Sequence, residues 1–261
     1  MKKLLTLLLV AVLAVMLCAC GQPQSILDDI VIEDESVDKD ALRDTLDKAT
    51  DYIESTVDTA KMTATTNDDD DYSVSRYWSY DKAVEIEPLI TAFEIDGNKI
   101  VIGETTESQL EELGMEIDAY ADTIGPEEET SITLSQGSKF CMILLEANLT
   151  DQTIPIRDLA VAGFTCPAPA YSLDFSYDGL TYSSTIDQVL AALGTPNDGI
   201  SLYSDSTICT FELDYSDELQ DGDYIIGDSL RITFLYNPED NTASLYGIDM
   251  DRYTYPVPED E

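Results

Sequence analysis

The chain has 261 residues, with 53 Asp and Glu against 13 Lys and Arg, and no histidine. That balance excludes a nucleic-acid grip and a polybasic membrane patch, both of which need clustered cations; the missing histidine removes imidazole catalysis and every His-ligated metal. A hydrophobic fraction of 44% still supports a packed core, so the acidity does not imply wholesale disorder.

Lys2 and Lys3 precede a run from Leu4 to Leu17 that is apolar except for Thr6. As a helix this run spans about 21 Å, short of the roughly 30 Å hydrocarbon core, which is the grammar of an export signal. It ends in Leu17-Cys18-Ala19-Cys20-Gly21. This ending resembles the lipobox of bacterial lipoproteins. The resemblance implies a signal peptide over 1–19, cleavage between Ala19 and Cys20, and a lipid on the Cys20 thiol. Two acyl chains suffice for stable anchoring. The expected location is the extracytoplasmic face of the cell membrane, and a single-membrane bacterium is favoured because no outer-membrane feature is visible. Beyond the leader the chain keeps all 53 acids and 11 bases.

Residues 20–38 read as an acidic tether. Leu42, Leu46, Ala49, Ile53, Val57 and Ala60 then recur at spacings of 4, 3, 4, 4 and 3. This period predicts an amphipathic helix over 39–67, capped by Asp38 or Asp40 and ending near Thr63 to Asn67. Residues 68–88 are expected to form an acidic loop and connection. Within it Asp68, Asp69, Asp70 and Asp71 are candidate ligands for Ca²⁺, which takes roughly six to eight oxygens. The run lacks the D-x-[DN]-x-[DN]-G spacing that wraps an ion, so a solvated acidic loop is the simpler expectation and no cofactor is required. Asp217, Asp221 and Asp223 are read the same way.

An internal repeat organises the rest. One copy reads Phe93-Glu-Ile-Asp96-Gly97, then Thr106-Glu-Ser-Gln109-Leu110-Glu-Glu-Leu113-Gly114. The other reads Phe175-Ser-Tyr-Asp178-Gly179, then Thr185-Ile-Asp-Gln188-Val189-Leu-Ala-Ala-Leu193-Gly194. Asp-Gly supplies the positive φ of a tight turn, Thr caps a short helix, and the final Gly closes it. Alternating strands follow in the second copy, through Cys209, Phe211, Leu213 and Tyr215, and again through Leu230, Ile232, Phe234 and Tyr236. The predicted boundaries are 89–166 and 167–255 for the two copies, with an acidic tail at 256–261.

Thr185 to Pro196, with its aromatic-rich strands, resembles the unit of the β-lactamase-inhibitor-protein-like superfamily, and the small lipoprotein subunit of the bacterial outer-membrane assembly machinery is similar. The first copy departs at Met115, where the proline would stand. The resemblance covers about Leu89 to Tyr255. It implies an α+β fold: an N-terminal amphipathic helix followed by two related units, each a short helical segment packed on an antiparallel sheet. Its members inhibit enzymes or assist assembly, and no activity transfers residue by residue.

No G-x-S-x-G motif is present, and spacing among 53 acids singles out no carboxylate pair. The protein is therefore read as no enzyme but a membrane-anchored binding or protein-interaction module, its ligand or partner held on an exposed sheet face. An envelope assembly or folding-assistance factor is the alternative, and a carboxylate enzyme directed at wall glycans a third. Cys141, Cys166 and Cys209 remain after the leader. Cys141 and Cys209, on apolar strand faces, are expected to be buried inert thiols, Cys166 falls in a proline-rich linker, and Cys141 with Cys166 is the only pairing entertained. The 15 tyrosines would form a recognition surface for cationic partners if several shared one sheet face.

Overall fold

The computed structural model describes residues 39–57, 62–70, 73–80, 84, 87–205, 208–221 and 224–257. The signal peptide, Ala19, Cys20 and the tether lie outside them, as do Asp71 and nearly all of the acidic tail.

Helix α1 (Lys39–Thr56) buries Leu42, Leu46, Ala49 and Ile53, with Val57 just beyond its end, as a 3.6-residue period requires. It stops well before the Thr63 to Asn67 limit predicted from the sequence. After Val57 the chain turns to threonine-rich Met62-Thr-Ala-Thr-Thr66, and β-branched residues favour extended backbone. Strand β1 (Met62–Asp70) pairs antiparallel with β2 (Ser73–Tyr80). The acidic loop and connection expected over 68–88 is corrected with it: Asp68 to Asp70 belong to a strand, and Val74 and Trp78 of β2 are core residues. An apolar residue only every fourth position disguised β2.

The first motif copy supplies β3 (Ala92–Ile95), β4 (Asn98–Val101), α2 (Glu107–Glu112), β5 (Glu116–Ala119), β6 (Thr123–Ile124), β7 (Thr130–Gln136), β8 (Lys139–Leu145), β9 (Ile154–Pro155) and β10 (Val161–Cys166). The second supplies β11 (Phe175–Tyr177), α3 (Ile186–Leu193), β12 (Gly199–Asp205), β13 (Cys209–Asp221), β14 (Tyr224–Asn237) and β15 (Thr242–Pro256). Locally the copies fold alike. Asp96 and Gly97 turn at φ 50° and 77°, Asp178 and Gly179 at 48° and 75°, which are the paired positive values of a type I′ turn. At both helix starts a threonine N–H donates to a glutamine Oε1 three residues on, at 2.9 Å for Thr106 and for Thr185.

The copies are joined in a reciprocal manner. β11 pairs with β3 so that Phe93 faces Tyr177 and Ile95 faces Phe175, equivalent positions exchanging partners as about a local two-fold axis. The large sheet repeats this reciprocity. Its ten strands run β1-β2-β12-β13-β14-β15-β10-β8-β7-β5, all pairs antiparallel, with the meander of one copy mirrored by that of the other. The seam is β10 against β15, where Phe164 faces Met250 and Cys166 faces Ile248.

This overturns the α+β reading. The described architecture is mostly β, 52% strand against 17% helix, built on one large antiparallel sheet and not on two helix-on-sheet units. The physical reason is at the seam: each meander satisfies the free edge of its last strand with the other's, so one continuous sheet replaces two separate ones.

Among the described residues, α1 and the small sheet β11-β3-β4 pack on the inward face of the large sheet, and α3 contacts β15. Helix α1 packs on β2, β12 and β13. Tyr52 of α1 meets Phe211 and Tyr236, whose neighbour Phe234 stacks on Phe211 at 5.1 Å. At the seam Phe164 touches Phe93 and Phe175 with ring centres 4.3 and 4.8 Å away. Arg252 grips both oxygens of Asp228, at 2.8 and 2.9 Å, and its other terminal nitrogen points to the Ile102 carbonyl at 3.4 Å, binding β15 to the end of β4.

Candidate functional site: the uncovered sheet face

Side chains alternate along a strand, so every core residue of the large sheet has a neighbour on the opposite face, the one left uncovered among the described residues. With Phe211, Leu213 and Tyr215 inward, β13 presents Thr210, Glu212, Asp214, Ser216 and Glu218 outward. Register places Tyr77 of β2 opposite Ser201, and Tyr203 of β12 opposite Ser75 and Thr210. The two tyrosines are about two-fifths exposed and stand diagonally across the β2–β12 pair. Ser75, Tyr77, Ser201, Tyr203, Thr210 and Glu212 line a shallow groove of about 350 Å³.

Two tyrosine rings lie down on the sheet over glycines. Tyr77 covers Gly199, where a Cβ would come within 2.6 Å of its hydroxyl, and that hydroxyl donates to the Asp198 carbonyl at 2.6 Å. Tyr253 covers Gly227 and donates to Glu218 at 3.0 Å; Tyr255 stacks beside it and reaches the same oxygen at 3.3 Å. Burial and the Glu218 carboxylate push the Tyr253 hydroxyl up to about 12. The glycines let rigid rings lie flat, which makes a surface of fixed shape at little entropic cost.

Between these aromatic ends runs a row of charge. Asp214, Arg231 and Asp249 are neighbours on three successive strands. The Arg231 Nε lies 2.8 Å from Asp214 and 3.2 Å from Glu212, so one guanidinium is shared among several carboxylates. Asp249 Oδ1 is buried without a hydrogen-bond partner among the described residues. Desolvation raises Asp249, Glu212 and Asp251 above the ordinary carboxylate range; Arg231 partly offsets this for the first two.

The sign of the pH dependence follows. Raised carboxylates mean that the folded state binds protons more readily than the unfolded one. Their favourable contribution is complete below the ordinary carboxylate pKa of about 4 and is lost as pH climbs through the raised values. The denaturant midpoint should therefore fall as pH rises from about 4, the ordinary carboxylate value, toward neutrality. A midpoint that falls on acidification would contradict the burial of this row.

The sequence-predicted residues scatter around this surface. Asp68 to Asp70 have their backbone in β1, not in a loop, while Asp217 and Asp221 lie in β13 and Asp223 is outside the described residues. Among the described residues no group of three acids, cysteines or histidines is arranged to hold a metal. Cys141, Cys166 and Cys209 are buried thiols. Of the tyrosines, Tyr177, Tyr215 and Tyr236 went to the core, and Tyr203, Tyr253 and Tyr255 to the uncovered face. Tyr77, Glu212 and Arg231 were not singled out from sequence. The alternation of β13 and β14 gives the direction of Glu212 and Arg231, whereas β2, and with it Tyr77, falls in the stretch expected to be a loop, and only the strand order brings the three together.

No protein-family model matches the chain, nor does any curated protein or solved structure compared with it.

Proposed function

We propose that the protein is a non-catalytic, lipid-anchored extracytoplasmic lipoprotein that binds a Lys/Arg-rich protein segment on its uncovered sheet face. The observation that carries the reading is the pairing of flat tyrosines with desolvated carboxylates on one face, while among the described residues α1 and the small sheet pack on the other. Tyrosine faces attract ammonium and guanidinium groups, and carboxylates supply the matching charge. The signal-like N-terminus and the lipobox resemblance support the anchor, and a chain without histidine lacks the usual base for hydrolysis.

Any polycation will associate weakly with 53 acids, so the decisive variant leaves charge untouched. Binding of a short Lys/Arg peptide to the exported protein should weaken roughly tenfold in Tyr77→Ala/Tyr203→Ala, two exposed cation–π contacts at about 0.5–1 kcal/mol each. Equal binding by the double variant rejects the face as the site. Cys20→Ala should release the protein from membranes, and a variant that stays bound rejects the anchor.

A further inference from the structure

Cys141 on β8 and Cys166 on β10 stand with their Sγ atoms 2.8 Å apart, both sulfurs buried. The strands are antiparallel, with Phe164 opposite Ile143 and Thr165 opposite Met142. The next step of that register sets Cys166 opposite Cys141. Directly opposed residues have Cα atoms about 4.5–5.5 Å apart, inside the window of about 4.4–6.8 Å that a disulfide spans. The Cys141 sulfur also points at the Thr165 carbonyl at 3.5 Å, which holds it on the partner strand's side. The two thiols have no third ligand group beside them that would suit a metal among the described residues.

We propose that Cys141 and Cys166 are joined as a disulfide in the exported protein, made by a dithiol-oxidising protein of the extracytoplasmic compartment. The inference rests on the export reading above, because thiols in a reducing cytoplasm stay reduced. The chemistry balances as thiol–disulfide exchange. A thiolate of one cysteine attacks the oxidant's disulfide and displaces one of its sulfurs. The second cysteine then attacks the mixed disulfide, forming the S–S bond and releasing the oxidant as a dithiol that carries away both protons and both electrons. The step belongs to folding and not to the finished molecule. In the folded protein burial, followed by the neighbouring Cys141, raises the Cys166 thiol far above neutrality, and no oxidant can reach either sulfur. Once closed, the bond is sealed by the same burial.

Cys209 serves as an internal control. It is buried at the start of β13, with its thiol pushed up to about 11, chiefly by burial, and it has no sulfur contact to another cysteine among the described residues. The test is peptide mapping of the full chain, recovered from the membrane fraction of producing cells, denatured and alkylated without reductant. The expected result is a Cys141–Cys166 cross-linked peptide, lighter by two hydrogens than the separate pair, with Cys209 alkylated. Alkylation of Cys141 and Cys166 in protein recovered outside the cytoplasm overturns the proposal. If fractionation finds the protein in the cytoplasm, the export reading fails separately. Refolding the full chain with oxidised glutathione then decides the pairing: a Cys141–Cys166 link supports it, and another pairing or none overturns it.

Discussion

Replacing Gly163 by alanine should cost about 3 kcal/mol or more of folding stability, against less than about 0.5 kcal/mol for Gly247→Ala. Gly163 sits in β10 opposite Asp251 of β15, at the seam where the two meanders fuse. A methyl group there would land on the Met250 carbonyl oxygen, deep inside contact distance, and 2.9 Å from the Asp251 Cα. Both obstacles are backbone, so no rotamer change relieves them and the strands must part. Gly247 lies on β15, beside the same seam, yet a methyl group there would meet its nearest obstacle, the Cys166 carbonyl, at 3.6 Å, an ordinary contact. The pair of variants therefore separates close backbone approach across the seam from the general cost of altering a strand glycine. Equilibrium denaturation measures it, and equal midpoints for the two variants would show that β10 and β15 do not meet as described.

Phe164→Ala should lose about 3–5 kcal/mol, the range for emptying a large aromatic site in a core that cannot collapse around it. Phe164 is fully buried. Its ring is held between Phe93 and Phe175, which begin the two copies of the repeated motif, with Tyr177 at 6.1 Å. These neighbours are all held in the small sheet while Phe164 belongs to the large one, so little can move into the void. Phe164→Leu should recover much of the loss, because it restores most of the volume. A loss below about 1 kcal/mol for the alanine variant would mean that the ring is not enclosed.

These two positions also mark the limit of what is legible in the sequence. Phe93 and Phe175 stand out in the sequence because each precedes an Asp-Gly turn and a capped helix. Phe164 and Gly163 carry no such flag: they occur in a short apolar run, Leu159 to Phe164, that could belong to any buried strand. The same division holds on the uncovered face. Alternation along β13 and β14 announces that Glu212, Asp214 and Arg231 point away from the core, but not that they meet, nor that Tyr77 arrives beside them from more than 100 residues earlier. Where sequence reasoning failed outright, at the end of α1 and over 68–88, the pattern was ambiguous. Ala60 still fits the helical period, and β-branched threonines decide for strand only because β2 is there to pair with β1.

What the sequence determined by itself is local. The Asp-Gly pairs require positive φ, the Thr-x-x-Gln boxes start helices, and the period of Leu42 to Val57 makes one apolar face; each depends on residues within a few positions of one another. What the tertiary structure decided is the strand order: that two meanders share their last strands, that α1 and the small sheet pack on one face, and that tyrosines and carboxylates are left together on the other. Backbone hydrogen bonds between strands are nearly blind to side-chain identity, so many orders satisfy the same alternation. The choice among them falls to long-range packing, here the enclosure of Phe164 and the bare backbone at Gly163.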